Sequence, residues 1–578
     1  ASFSLAASAF VPVMVLGIFW RGTTRQGAVA DWIFTPDPER ARTSRLGRFL
    51  TSRGLPATPE GYAELHRFSI ADPEAFWPAL LEDLGFTWLA PYTRVLDASR
   101  GPAWPSWFVG GKINAAHLCL DRWLPSRGSE VAVIWEGDDG SRRSWRLAEL
   151  AAETDRCAAR LAALGVAHGD RVALFLPMLP ETVAALLATL KLGAIAVPCF
   201  SGYGAEAVAT RLEDSQAKVL ITADAFFRRG AHVAMKDTAD RAIDIGGSSV
   251  GAVLVVPRAS FGPSIGAAPG EETVPWTVGR DHWWPTAEDA ASPAPAMAQT
   301  SSEDAALVMY TSGTTGRPKG VVLTHANMLW AAAALVKTRR DSEQSVAAVV
   351  SPLCHNPIFV SHYLARLISG GTVVLGAFEV ERIVRLIRDE GVTDLPLVPA
   401  MIGPLLASRD LKDTSRVAKV SVGSALTPME VKLTLAERFP NADILEAYGQ
   451  TESTDGLTLT VGREALERHG TVGRAHALYA LGIESPSGAL CAPNEPGEIV
   501  AQGPTIMHGY LDDPDATAAA LRGGWLHTGD LGRMDEDGFV YITGRLKEII
   551  ITGGENVSPE EIEAVLARHP AVAEVAVF

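Results

Sequence analysis

Residues 306–320 read Ala306-Leu-Val-Met-Tyr310-Thr-Ser-Gly-Thr-Thr-Gly-Arg-Pro-Lys-Gly320. The apolar run Ala306–Met309 has the character of a buried strand. The eleven residues from Tyr310 to Gly320 carry several hydroxyls, three glycines and a lysine. Glycines let backbone N–H groups approach phosphate oxygens, hydroxyls add donors, and Lys319 balances charge. It is not a Walker A loop: Gly313 and Gly316 are too close, and Lys319 precedes Gly320 rather than Ser or Thr. A flexible hydrophilic linker is the alternative, but a linker has no reason to lie between an apolar strand and a helix-like run.

Outward from this loop, strands and helices alternate. Arg171–Leu176, Ala194–Val197 and Lys218–Thr222 read as strands on one side, and Ala347–Ser351, Thr372–Leu375, Thr393–Val398 and Lys419–Val422 on the other. Val183, Leu186, Leu187 and Leu190 have the spacing of one helix face after Pro180, and a second helix is expected around Gly204–Asp214. Such alternation implies a parallel sheet covered on both faces. Gly246–Ser302, rich in Gly, Pro, Ser and Ala, reads as a long surface excursion. After Gly497 short strands and turns predict a β-rich subdomain, and a last βα-type pattern begins near Glu548. The expected fold is therefore α/β. A large N-terminal domain of parallel-sheet subdomains plus a β-rich subdomain leads into the start of a small α+β C-terminal domain, expected to be truncated at Phe578.

Composition narrows the function. The 578 residues are 47% hydrophobic, and 51 Lys+Arg against 67 Asp+Glu leave a net charge of −16. That balance opposes a phosphate-tracking nucleic-acid binder, so no nucleic-acid partner is expected. Cys119, Cys157, Cys199, Cys354 and Cys491 lie far apart without metal-ligand spacing, which argues against a disulfide scaffold or structural zinc and fits a reducing cytoplasm. Ala1–Trp20 carry no charge and Arg21 and Arg25 follow, a pattern that fits a membrane helix with a cytoplasmic flank; a buried helix is the alternative. Phe3–Ala30 resembles a late membrane helix of sodium:solute symporters, so residues 1–30 are a candidate transmembrane remnant and residues 1–20 a possible membrane contact.

Two further segments carry chemistry. In Tyr448-Gly-Gln-Thr-Glu-Ser453, Thr451 can donate to a phosphate oxygen and Glu452 supplies one carboxylate for Mg²⁺, which is held by few protein ligands plus nucleotide oxygens; alone, the segment also reads as a polar strand-end loop. In Trp525-Leu-His-Thr-Gly-Asp530, followed by Gly544-Arg545-Leu-Lys-Glu548, a carboxylate can accept from both ribose hydroxyls and Arg545 can donate to the same sugar. Taken singly these are a turn aspartate and a surface arginine.

In this order and spacing the segments resemble the adenylate-forming superfamily of acyl- and aryl-CoA synthetases, peptide-synthetase adenylation domains and luciferases. The resemblance covers Asp37 to Phe578. Trp107-Phe-Val-Gly-Gly-Lys-Ile-Asn114, Cys119-Leu-Asp-Arg122 and Gly279-Arg-Asp-His-Trp-Trp284 are similar to the acetyl-CoA synthetase branch, which suggests an N-terminal segment at 31–125, an adenylation core at 126–544 and a hinge with the start of the small domain at 545–578.

The resemblance implies an AMP-forming acyl-CoA synthetase. A carboxylic acid and ATP give acyl-AMP and pyrophosphate, and CoA then displaces AMP, with ATP, Mg²⁺ and CoA as cofactors and the oligomeric state left open. Thr311, Ser312, Gly313, Thr314, Thr315, Gly316 and Lys319 would hold the β- and γ-phosphates. Tyr448 would stack on adenine beside Gly423, Ser424 and Ala425, with Gly449 and Gln450 adjoining. Thr451 would meet the α-phosphate, Glu452 the Mg²⁺, and Asp530 and Arg545 the ribose. Lys547 would mark the domain hinge, so that Thr311, Lys319, Glu452 and Lys547 form the catalytic set. Arg228 would contact the CoA nucleotide phosphate, or be an exposed structural arginine. His355 would gate or line the acyl pocket, or simply pack.

Three departures matter. The family's adenylation lysine lies past Phe578, which would impair chemistry in this chain but not nucleotide binding. Gly449 stands where the acetyl branch has a Trp before the Gln, so an acid larger than acetate is expected. Gly449→Trp should then shift preference toward acetate or propionate. The hinge stretch GRLKEIIITGGENVSPEEIE is closer to medium-chain and aryl-CoA ligases. Amino-acid activation is disfavoured, because Ser351–Phe359 offers His355 and Asn356 rather than Asp. Two rival readings are an adenylation enzyme loading a carrier protein and a membrane-linked ligand-sensing module.

Overall fold

The computed structural model describes residues 38–83, 88–99, 105–228, 230–259, 262–263, 273–286, 294–311, 318–423, 426–546, 550–552 and 555–557, with 566, 572 and 575. The candidate membrane segment 1–20, Ser312–Gly316, Ser424, Ala425 and Lys547 lie outside them. Among the described residues no helix is long and apolar enough to cross a membrane.

Two large sheets carry the chain. One has eight strands in the order Asp281–Trp283, Ala252–Val256, Val219–Ala223, Arg171–Phe175, Ile195–Cys199, Ala305–Thr311, Lys319–Thr324 and Gly509–Tyr510. Its pairs are parallel as far as Ala305–Thr311 and antiparallel from there on. The other has thirteen strands. Its parallel half contains Asp443–Gly449, Lys419–Val422, Asp394–Leu397, Val346–Val349, Thr372–Leu375 and Val131–Glu136. Its antiparallel half runs from Gly456–Val461 through Gly473–Ala475, Phe539–Arg545 and Leu526–Met534 to Gly497–Gln502 and Ala480–Glu484. The β-rich part expected after Gly497 is thus continuous with the parallel sheet.

The strands expected at 171–176, 194–197, 218–222, 347–351, 372–375, 393–398 and 419–422 all form, within one or two residues at each end. The helix after Pro180 spans Pro180–Lys191 and is buried at every position, not on one face. A helix buried on all sides lies between two layers, and its two charged residues are paired there: Glu181 with Arg143, and Lys191 with Asp155. The helix expected around 204–214 spans Ala205–Ser215.

One expectation fails. Within Gly246–Ser302, read as a surface excursion, Ala252–Val256 is a fully buried strand paired in parallel with Val219–Ala223 and with Asp281–Trp283. Its five apolar residues match a strand buried on both faces; the Gly- and Pro-rich flanks concealed it.

The N-terminal segment packs its own small core of Phe49, Leu50, Leu65, Phe76, Trp77 and Val95. Two glycines of the Trp107–Asn114 motif have a structural reason: Gly110 takes φ +83°, and a Cβ on Gly111 would lie 2.7 Å from the Trp88 ring. Asn114, fully buried, caps the helix Ala115–Cys119 through the Ala116 N–H and donates to the Leu190 carbonyl at 2.7 Å. An unpaired buried amide would cost about 1–3 kcal/mol, so this side chain fastens the N-terminal segment to the central helix.

Candidate active site

Thr311 and Lys319 end one strand and begin the next, and they are cross-strand partners, so the intervening residues form the connection between the two. The Lys319 ammonium lies 4.7 Å from the Tyr510 ring centroid. The Tyr510 hydroxyl donates to Glu452 Oε1 at 2.8 Å. Lys319 and Glu452, far apart in sequence, therefore meet through one aromatic side chain. Burial raises the Glu452 pKa and nearby Lys319 offsets part of that rise.

Gly449, the last residue of Asp443–Gly449, leads into a short turn over Thr451–Ser453. Ser453 Oγ accepts from the Gln450 N–H at 3.0 Å and donates to the Asp455 carbonyl. The Met507 N–H donates to the Glu452 carbonyl at 2.8 Å, and the Tyr479 hydroxyl to the Ser453 carbonyl at 2.7 Å. Thr454 follows with φ +64°, a conformation that costs a non-glycine residue energy and persists only where neighbours enforce it. Here Asn356 Nδ2 donates to its carbonyl at 2.5 Å, and its own hydroxyl donates to the Thr505 carbonyl at 2.5 Å.

Asp530 lies opposite Arg545 on neighbouring antiparallel strands, with Arg545 Nε 3.2 Å from Oδ1. The Tyr448 hydroxyl donates to Oδ2 at 2.6 Å. Burial raises the Asp530 pKa, against the bonds from Tyr448 and Arg545. Glu498, which sequence reading missed, shapes the turn before Asp530. It accepts from the Gly529 N–H at 3.0 Å, from His527 Nδ1 at 2.9 Å and from Arg522 at 2.8 Å. Gly529 takes φ +74° there. Glu484, Glu498 and His527 bring three ligand-type atoms within 4.8 Å; Arg522 already supplies the positive charge at Glu498.

Gly423 follows the strand Lys419–Val422, with its Cβ direction open apart from the Ala447 carbonyl at 3.7 Å. Gly449 is different. A Cβ there would lie 2.9 Å from the Gly456 Cα and still closer to the Asp455 carbonyl. The space behind Gly449 is filled by main chain, and a Trp could not be added without moving it. His355 is exposed, its ring centroid 6.4 Å from that of Phe200. Arg228 sits on the hairpin Ala225–Arg228/Ala231–Ala234 and lines a cavity of about 190 Å³ with Trp135, Phe226, Phe227, Arg258 and Phe378. Arg258 lies 4.8 Å from the Trp135 ring and 5.4 Å from that of Phe227. A second, apolar cavity shares Pro177, Met178, Phe200, Ser201 and Pro352 with the first and reaches Cys354, next to His355.

With Thr311 and Lys319, the partly buried Glu452 carboxylate and the Asp530–Arg545 pair set at the ends of two sheets, the fold is that of a nucleotide-dependent ligase of the adenylate-forming class. The chain belongs to the AMP-binding enzyme family, whose model matches residues 120–511; the acetyl-coenzyme A synthetase N-terminus matches residues 62–119. It is similar to the acetyl-coenzyme A synthetase of Mycobacterium bovis, 30% identical over 556 residues and covering 89% of this chain and 81% of that protein. The acetyl-coenzyme A synthetase of Pyrobaculum aerophilum is 31% identical over 560 residues, covering 90% and 80%. Among solved structures, the Mycobacterium tuberculosis fatty acyl CoA synthetase superposes with a TM-score of 0.66 at 28% identity, covering 80% of this chain and 85% of that one. The chain is accordingly an acid–thiol ligase using ATP, Mg²⁺ and CoA. Glu452 suits the ion: its carboxylate is a hard oxygen donor, and Mg²⁺ takes one or two protein carboxylates beside phosphate oxygens.

Proposed function

We propose that this chain is a cytoplasmic acyl-CoA synthetase that activates a carboxylic acid larger than acetate as its adenylate and transfers the acyl group to CoA. The observation that carries the reading is the joining of Lys319, Tyr510 and Glu452 on one side, and of Tyr448, Asp530 and Arg545 on the other, through direct contacts between distant segments.

In this reading the strand connection ending at Lys319 grips the β- and γ-phosphates, and Thr451 donates to the α-phosphate. Asp530 accepts from the ribose hydroxyls while Arg545 and Tyr448 hold its carboxylate in place. Glu452 would hold Mg²⁺, which would supply positive charge against the negative charge that grows on phosphorus. Acyl-AMP forms as the carboxylate attacks the α-phosphorus and pyrophosphate leaves. The CoA thiolate then attacks the acyl carbon, and AMP departs with the bonding pair. The cavity beside Arg228 suits the CoA nucleotide, because a guanidinium and aromatic faces recognise a phosphate and a purine. The apolar cavity that continues from it toward Cys354 suits the thiol-bearing arm.

Acid size rests on the missing indole at 449, and main chain takes up the nearest part of that space, so the added room is smaller than a Trp side chain. The acetyl-coenzyme A synthetases among its relatives favour a short acid, which fits a modest enlargement. The test is thermal melting of the whole chain with non-hydrolysable acyl-adenylate analogues from acetyl to decanoyl and benzoyl. Tight ligands raise the midpoint by mass action. A maximum at three to six carbons is expected (from roughly one to a few buried CH₂ groups at about 0.8 kcal/mol each); a maximum at acetyl would overturn the size reading.

A further inference from the structure

Lys319 and Glu452 carry opposite charges and lie close enough for the lysine to lower the glutamate's pKa, yet among the described residues neither forms an ion pair. What stands between them is Tyr510. Its position is dictated from both sides. The strand Gly509–Tyr510 pairs with Lys319–Thr324, the Leu511 N–H donates to the Gly320 carbonyl at 2.7 Å, and the His508 N–H to the Val322 carbonyl at 2.9 Å. From the other side the Met507 N–H donates to the Glu452 carbonyl at 2.8 Å. The segment 507–511 is thereby tied to the lysine strand and to the glutamate turn at once.

We propose that Tyr510 is a spacer between Lys319 and Glu452, holding each within reach of one nucleotide while keeping them from pairing with each other. The ring gives the ammonium a cation–π partner and the hydroxyl gives the carboxylate a hydrogen bond. Both partners are neutral and so easily exchanged for a polyphosphate and its cation. A direct ion pair in a pocket of low dielectric would be much harder to break. Tyr510 is thus a positioning residue, and the assignment rests on the nucleotide reading above.

Two substitutions separate the ring from the hydroxyl. Tyr510→Phe keeps the spacer and removes only the bond to Glu452; Tyr510→Leu removes both and opens the way for Lys319 to reach Glu452. Calorimetric titration of the whole chain with ATP in EDTA isolates the lysine, because no cation then engages the carboxylate. Tyr510→Phe should bind within about threefold of wild type and Tyr510→Leu about tenfold more weakly, the scale of coupling between residues in contact. The decisive variant is Tyr510→Leu with Glu452→Gln: removing the carboxylate frees Lys319, and ATP affinity should return to the Tyr510→Phe level. Should Tyr510→Leu fail to melt cooperatively, Tyr510→Met, with a long unbranched side chain, takes its place. Wild-type affinity in Tyr510→Leu, or no recovery on adding Glu452→Gln, overturns the spacer while leaving the nucleotide site intact. A wild-type chain that binds no ATP, with or without Mg²⁺, overturns the nucleotide reading and the spacer with it.

Discussion

The Tyr448 hydroxyl donates to the Asp530 carboxylate at 2.6 Å, joining the last strand of the parallel half of the thirteen-stranded sheet to its antiparallel half. Arg545 holds the other carboxylate oxygen from the neighbouring strand. Asp530 is mostly buried, and burial alone would favour its neutral form. Two donors therefore keep an acceptor charged at the place where ribose hydroxyls are expected.

Tyr448→Phe keeps the ring and removes one of these donors. A hydrogen bond to a charged group is worth about 1.5–3 kcal/mol, so Kd for ATP should rise roughly tenfold or more. Since the lost bond lowers the Asp530 pKa, the acid limb of the pH profile of ATP binding should move to higher pH in the variant. An unchanged limb would mean that the hydroxyl does not bear on Asp530 in the working enzyme.

The candidate site could be proposed from the sequence because its residues sit in short local segments. Thr311 and Arg545 end strands, Lys319 begins one, Glu452 sits in the turn just after one and Asp530 lies within one, so each is marked by an apolar run beside it. Tyr510 was not legible. It works through a two-residue edge strand whose partner lies almost two hundred residues earlier, and no local pattern announces such a pairing. Glu498 was hidden for the same reason: it reaches Gly529 and His527 across a strand pair. The fold was read well where apolar runs were long, and missed at Ala252–Val256, where flanking Gly and Pro dominated the composition. At Gly449 the residue was noticed but its surroundings were not, since only the folded chain brings Asp455 and Gly456 against it.

Gly449→Ala tests that last point. The added Cβ would press on the Asp455 carbonyl and the Gly456 Cα, main-chain atoms with little freedom to move. Overpacking of this kind costs about 1–3 kcal/mol. The melting midpoint should fall by about one to three degrees, and Gly449→Trp should melt lower still without a clean shift toward acetate. A Gly449→Trp protein as stable as wild type would show that the 455–456 segment yields easily.

Glu452→Gln separates function from stability. Burial raises the pKa of this carboxyl, so its charged form costs folding free energy at neutral pH. The amide removes that cost, and the ligand-free protein should melt at a higher temperature than wild type at pH 7.5. The stabilisation by ATP that depends on Mg²⁺ should disappear in the same variant. Loss of stability together with an intact Mg²⁺ effect would remove Glu452 from the metal site.

Asp455 supplies the clearest pH dependence in the fold. Its side chain is buried, Ser361 donates to Oδ1 at 2.8 Å, and Oδ2 is buried with no hydrogen-bond partner among the described residues. Burial pushes its pKa up from 3.8 to about 6. Below pH 4 the carboxyl is protonated in both folded and unfolded chains and contributes nothing to the pH dependence. Between pH 4 and 6 the unfolded chain releases the proton while the folded chain retains it, so stability from this group declines as pH rises. Above pH 6 the full penalty, about 3 kcal/mol at 1.36 kcal/mol per pKa unit, applies. Asp455→Asn cannot ionise and should be more stable than wild type at pH 7.5, by up to that amount, with the gain shrinking toward zero at pH 4. Urea unfolding of both proteins across this range measures the difference directly. A constant difference at all pH values would mean that Asp455 already carries its charge, with a partner drawn from outside the described residues.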